Sequence, residues 1–328
     1  MNCLTINLRG AGDPLNLKSD WVRKIKIENQ INFVTFQSAG RSGGLFCLWN
    51  PLMFRHTEVI KSGHFICVSG LWGDEEHKIN IVNIYSPNNP DARRILWADL
   101  LDLRNSKEGA WLLMGDYNEV RNRNERFSER VCLASMEEFN NFIGMAGLTE
   151  FNMGGRRFTR MSDDGMSLSK IDRFLACQGF LAIWGSATVT VLPRRYSDHC
   201  LVVLASEVFD FGASPFRFFN SWLLLDGLAE VVTGSWGKDV QELNRGKVLL
   251  RKIQRLKADV RQWCKSSKQE EEKEFKGLLK SLDDMEIIAE SRPLATPERT
   301  SRANWRKRLQ KSNWKAGELR LMTVLKES

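Results

Sequence analysis

Asn7 stands at the end of the first strand in INLRG, Tyr85 closes INIVNIY, and Asp116 and Asn118 follow AWLLM within GDYNEV. Asp172 sits in SKIDRF, and Asp198 and His199 stand immediately before CLVVL. A sheet presents functional side chains from the loops at its strand ends, so these residues are placed to meet along one edge. Their types suit phosphodiester hydrolysis assisted by a hard cation. Carboxylate and amide oxygens hold Mg²⁺, a carboxylate accepts the proton of an attacking water, and an imidazolium offsets charge building on the phosphoryl oxygens. Each residue also has a plainer reading. Asn7 or Asp172 alone is a turn residue, Tyr85 a half-buried strand aromatic, and His199 a satisfied core histidine. Gly43 and Gly44 in GRSGG make a turn, and no phosphate-loop lysine follows them.

The elements that must position these residues are short and apolar. Residues 3–8, 31–36, 44–49, 65–72, 79–85, 110–114, 187–192 and 200–204 are rich in Val, Ile, Phe and Trp and bounded by Gly, Pro or Asn, which predicts strands. Several are apolar at nearly every position, as in sheet interiors covered on both faces. Helices are expected at 91–103, with Ile95, Leu96, Leu100 and Leu103 on one stripe, and at 135–148, with Met136, Phe139, Phe142 and Ile143. Strands interleaved with helices through residue 206 predict one α/β domain. Beyond the Phe-rich stretch SPFRFFNSWLLL the strand signals end. Leu249, Ile253, Leu256, Val260 and Trp263 then repeat at steps of four and three, and Phe275, Leu278, Leu282 and Met285 continue after KSSKQEEEKE. That spacing predicts two long helices packed antiparallel in a coiled-coil-like seam.

The 328 residues are 42% apolar and 27% charged, which excludes disordered, collagenous and disulfide-scaffold classes. No apolar run approaches the roughly 18 residues that span a bilayer, and the N-terminus has no secretory pattern, so an intracellular chain is expected. Seven cysteines without a Cys-x-x-Cys pair read as reduced thiols. The net charge is +8, of which +6 lies beyond residue 206. Such a basic flank reaches a polyanion cheaply, because each phosphate contact releases counterions; a solvated helix face is the plainer alternative.

The ordered series INLRG, GRSGGLFCLWN, VNIYSPN, GDYNEVR, FTR, SKIDRFL, LPRRYSDH closely resembles the endonuclease domain of plant LINE-type (non-LTR) retrotransposon polyproteins, in the exonuclease-endonuclease-phosphatase superfamily. The match runs from residue 1 to about 206. SPFRFFNSWL and the heptad helices resemble the segment that joins endonuclease to reverse transcriptase, and the chain stops where the polymerase would begin.

The resemblance implies a DNase-I-like α/β fold, a four-layer sandwich of two mostly antiparallel sheets flanked by helices, followed by an α-helical extension. The implied division is a nuclease-like domain over 1–206, a linker over 207–220 and a basic extension over 221–328. It implies a Mg²⁺-dependent DNA endonuclease, with Mn²⁺ as the substitute ion and no small-molecule cofactor. Asp116 would orient or deprotonate the attacking water, and Asn118 and Asn7 would hold water, phosphate or metal. Asp198 would help ligate Mg²⁺. His199 would meet the scissile phosphate as a cation favoured by Asp172, and Tyr85 would hydrogen-bond a phosphoryl oxygen. Duplex DNA is the implied partner, RNA a second through the basic tail, with no membrane and a nuclear setting if functional.

One departure from the family pattern lowers the expected activity. The glutamate that anchors the metal after the second strand is absent. INFVTFQ runs into Ser38-Ala39-Gly40 and then the GRSGG turn, and a few dozen residues that would include a loop and a strand are missing. Glu28 precedes the strand and does not match. A catalytically inactive nucleic-acid-binding remnant is therefore the first alternative, and a phosphatase of the same superfamily the second.

Overall fold

The computed structural model describes residues 2–5, 32–36, 45–74, 76–127, 131–194, 197–206, 223, 227–241 and 244–309. Fifteen strands run in order: β1 Asn2–Thr5, β2 Asn32–Phe36, β3 Leu45–Trp49, β4 Phe54–Lys61, β5 Phe65–Trp72, β6 His77–Tyr85, β7 Ala110–Asp116, β8 Arg126–Phe127, β9 Leu148–Glu150, β10 Met153–Gly155, β11 Arg160–Met161, β12 Leu168–Ser169, β13 Asp172–Cys177, β14 Thr188–Val191 and β15 Val202–Ala205. The helices are α1 Pro90–Asn105, α2 Leu133–Met145, α3 Gln178–Ile183, α4 Leu228–Trp236 and α5 Arg245–Ser291, and residues 296–309 are also helical.

Two main sheets, flanked by helices, carry the fold. One has the order β4-β5-β6-β7-β13-β9 and the other β1-β15-β14-β10. All pairings within them are antiparallel except β6 with β7 and β10 with β14. Val189, Val191, Val202 and Leu204 of the smaller sheet share one apolar core with Val82, Ile84, Leu112, Phe174 and Leu175 of the larger. The continuous apolar runs are explained by position. β7 and β13 are buried at every residue because they lie inside the larger sheet.

β4 gives no strand signal in the sequence because it is the sheet's edge, and its Arg55, His56, Thr57 and Glu58 face solvent. β13 also escapes the strand patterns, since DRFLAC opens on two charged residues and runs straight into α3.

α1 begins on a sound cap. The Asn89 side chain accepts the Ala92 amide, and Pro90 fills the first turn, where its missing N–H is no loss. Its buried face is Leu96, Trp97, Leu100 and Leu103 together with Arg93, while the expected stripe member Ile95 is 65% exposed. Trp97 takes that place, stacking on Phe142 of α2 with ring centroids 4.9 Å apart.

The described residues up to 206 and those from Leu282 onward form one compact unit, and those between Phe209 and Ser281 a second. The described residues of the expected extension over 221–328 fall in both units. The spacing of Leu282 and Met285 was consistent with a helix seam, but Met285, Ile288, Ala289 and Leu294 instead join Phe127, Phe158, Met161 and Leu168 in a separate apolar cluster. The expected antiparallel hairpin is also replaced, since α5 runs unbroken through KSSKQEEEKE. That run holds neither Gly nor Pro and consists largely of good helix formers. In the second unit, Leu228 of α4 packs on Val260 and Cys264 of α5.

Among the described residues no helix is long and apolar enough to cross a membrane. Cys47, Cys67, Cys132, Cys177, Cys200 and Cys264 are free thiols, and all but Cys47 and Cys132 are buried.

Candidate active site

Strand register creates the site. Asp116, the last residue of β7, stands opposite Tyr85 at the end of β6 and opposite Asp172 at the start of β13. Three of the chemically interesting residues thus form one row across three neighbouring strands. Just before Asp116, Gly115 adopts φ +133°, and a Cβ there would lie 2.0 Å from the Ile84 carbonyl oxygen. Only glycine lets β6 and β7 approach this closely. Just after it, Asn118 takes the left-handed φ of 49°, which asparagine tolerates better than most residues. Its amide N–H donates to Asp116 Oδ1 at 2.8 Å, and its side-chain amide donates to the Ser86 carbonyl at 2.5 Å.

His199 comes to this row from the segment before β15. Its Nδ1 lies 2.8 Å from Asp172 Oδ2, and its Nε2 faces Asp116 Oδ2 at 3.9 Å, beyond direct hydrogen bonding. All three side chains are almost wholly buried. Burial pushes the His199 pKa down, but Asp172 foremost, then Asp116 and Asp198, outweigh it and leave the imidazole above its ordinary value. A protonated ring between two carboxylates is the state this arrangement favours.

Asp198 is a neighbour of the row rather than a member. Its Oδ2 lies 3.2 Å from Arg160 Nε, and its Oδ1 accepts a hydrogen bond from Ser197. Tyr85 is half-buried, with its backbone N–H donating to the His64 carbonyl. Asn7, Ser38 and the GRSGG turn lie outside the described residues.

Asp116, Asp172 and His199 each bring one ligand atom within 4.8 Å of the others. The oxygen donors of this set suit a hard cation. The imidazole does not, because Asp172 engages one of its nitrogens and the other faces Asp116. The carboxylate oxygens of this cluster therefore fit a cation, and the imidazole of His199 is better suited to donating a hydrogen bond. Among the described residues, Glu119 pairs with Arg93, and Glu125 and Glu150 pair with Arg173.

Those commitments are what the sequence did not reveal. Glu119 and Arg93 form a buried pair at 2.7 Å that ties the loop after Asp116 to α1, and Arg93 also donates to the Asn88 carbonyl. The one available signal was spacing, since Arg93 falls on the same helical stripe as Leu96 and Leu100. Deeper down, Arg173 is fully buried between Glu125 and Glu150, each at 2.5 Å, with Lys170 2.8 Å from Glu150. Burial pushes the Glu150 pKa up, but Arg173, Lys170 and Arg121 overcome this and hold it at about 2. Thr159, in the FTR triplet, is wholly buried, and its Oγ1 accepts the amides of Ile171 and Asp172 at 3.0 Å each. A polar cleft of about 310 Å³ opens beside the row, lined by Asn88, Asn118, Arg126, Arg160, Ser167 and Ser169 among others.

No family model matches the chain. Among solved structures, the chain is similar to the endonuclease domain of TRAS1, a telomere-specific non-LTR retrotransposon, at 15% identity and TM-score 0.43, covering 62% of this chain and 96% of that one. It is similar to an AP endonuclease from Leishmania major at 12% identity and TM-score 0.45, covering 62% and 86%. It is also similar to a 3′ phosphatase from Neisseria bound to a product DNA hairpin, at 16% identity and TM-score 0.45, covering 64% and 100%.

Proposed function

We propose that this chain is a phosphodiester hydrolase acting on nucleic acid, a retrotransposon-type DNA endonuclease with duplex DNA as its substrate. The observation that supports this most is the row formed by Asp116, Asp172 and His199 at the sheet edge, with a cleft carrying arginines beside it. In this reading Asp116 accepts the proton of the attacking water. His199, kept charged by Asp172, donates from Nε2 to the scissile phosphate. Asn118 and Tyr85 add neutral hydrogen bonds to water or phosphoryl oxygens. Asp198 and Asn7 would hold Mg²⁺ or Mn²⁺, and a bound cation supplies charge neutralisation at the phosphate. RNA binding through the basic tail and action in the nucleus belong to the same reading.

The test is nicking of supercoiled plasmid by the purified chain with and without Mg²⁺. His199→Ala and Asp116→Asn should each cost roughly a hundredfold or more. Nicking indifferent to both changes would overturn the assignment. A second reading, a catalytically silent binder, is favoured by the Arg160 contact to Asp198 and by the missing glutamate. It predicts salt-dependent duplex binding and no cleavage.

A further inference from the structure

Residues 282–309 do more than extend the chain. Glu286, near the end of α5, is 4% exposed, and its Oε2 lies 2.8 Å from Nη1 of Arg194. Arg194 belongs to LPRRYSDH, the segment that carries Asp198 and His199. The other carboxylate oxygen faces Arg302 Nη2 at 3.6 Å, and Arg302, 1% exposed, donates from Nη1 to the Asp163 carbonyl at 3.1 Å. Asp283 adds a further ion pair to Arg156. One buried carboxylate therefore holds two buried guanidinium groups. Burial brings the Arg302 pKa down to about 10, even with Glu286 opposing it. Without Glu286, two buried cations would face each other having lost their shared carboxylate, with Glu290 and Asp163 left as acidic neighbours.

Residues 158–161 are where this segment meets the site. Phe158 and Met161 pack in one apolar cluster with Ala289 and Leu294. Arg194 donates from Nη2 to the Phe158 carbonyl at 3.4 Å. The same four residues also contact Asp172, His199 and their neighbours Asp198 and Cys200. Thr159 Oγ1 takes the Asp172 amide at 3.0 Å, and the Thr159 carbonyl takes the Cys200 amide at 2.6 Å. Met161 N–H donates to the Asp198 carbonyl at 3.0 Å, and Arg160 forms an isolated bridge with His199.

We infer that residues 282–309 are a clamp on the site, and that Glu286 is the positioning residue that sets the placement of Asp172, Asp198 and His199 through Arg194 and residues 158–161. Glu286 touches no substrate. It fixes the strand and loop from which the reacting groups project. The inference rests on the hydrolase reading only for its kinetic consequence, and its structural consequence stands apart from that reading.

The experiment is site-resolved amide hydrogen exchange on the full chain and on its Glu286→Ala and Glu286→Gln variants, with plasmid nicking measured alongside. In Glu286→Ala the amides of Met161, Asp172 and Cys200 should exchange about tenfold faster or more, while Ile81 and Leu112 in the larger sheet stay protected. Glu286→Gln keeps the shape and one hydrogen bond to Arg194, so a smaller rise is expected. It also serves as the decisive variant if Glu286→Ala fails to fold. Nicking should lose kcat with KM unchanged. Unaltered exchange at the three amides would overturn the clamp, as would an equal rise across the whole sheet. If the unmodified chain does not nick, the hydrolase reading fails, while the exchange pattern still decides the clamp.

Discussion

Replacing Asp172 by Asn isolates the interaction on which the row depends. The carboxylate lies 2.8 Å from His199 Nδ1, and both side chains are nearly inaccessible. Two unit charges at that distance attract by roughly 6 kcal/mol at an effective dielectric constant of 20, before desolvation is subtracted. Removing one partner of such a buried pair costs about 3–5 kcal/mol. The folded-state pKa of His199 lies above its ordinary 6.5, so the pair's contribution is fully present below about pH 6.5 and is lost as pH rises through the folded value. Urea unfolding followed by circular dichroism, in EDTA and at several pH values from 5.5 to 9, should show Asp172→Asn weaker by about 3 kcal/mol at the acid end. The gap should narrow toward alkaline pH, where the unmodified chain has lost its advantage. Proton NMR of the His199 ring should show its pKa falling in the variant. A wild-type His199 titrating at or below 6.5, or a gap that does not change with pH, would refute the reasoning.

Gly115→Ala should destabilise the chain by more than about 2 kcal/mol, since the new methyl meets the Ile84 carbonyl and the backbone φ is unfavourable for any L side chain; the urea midpoint reads this directly. Arg173→Met should cost about 3–5 kcal/mol by leaving Glu125 and Glu150 without their shared buried cation. The Glu150 pKa is depressed to about 2 from 4.5, so its stabilisation is present above pH 4.5 and lost as pH falls toward 2. Arg173→Met should flatten that acid limb, and an unchanged acid unfolding curve would show that Glu150 draws its stabilisation elsewhere.

Particular residues show why some of this was legible in the sequence and some was not. β5, β6 and β7 announce themselves because burial on both faces demands apolar side chains at nearly every position. The polar residues that interrupt or end such runs are then conspicuous, which is how Tyr85, Asp116 and Asn118 could be singled out. β4 is silent because an edge strand needs no such composition. Arg93, Arg173 and Glu286 are silent for a different reason. A charge is buried only beside a counter-charge, and those partners lie 26, 48 or more than 90 positions away, as in Arg93 with Glu119, Arg173 with Glu125, and Glu286 with Arg194. No local pattern reports such distances. The apolar spacing at Leu282 and Met285 correctly indicated a helix but could not tell what would cover it, because a strand-bearing body and a second helix ask for the same stripe.

The pairing of β1 with β15 matters for the order in which this protein can be made. Asn2 opposes Ala205 and Thr5 opposes Val202, so β1 waits for the strand of its sheet that is made last. At about 5–20 residues per second, that wait is roughly 10–40 s on the ribosome, during which β1 lacks its partner among the described strands and closing so long a loop carries its full entropic cost. The larger sheet is further along at that stage, since its β4, β5 and β6 pair consecutively. The row is not complete until His199 arrives, and the cluster around Phe158 and Met161 not until Leu294 follows. A nascent chain thus carries Asp116 and Asp172 before it carries a finished site.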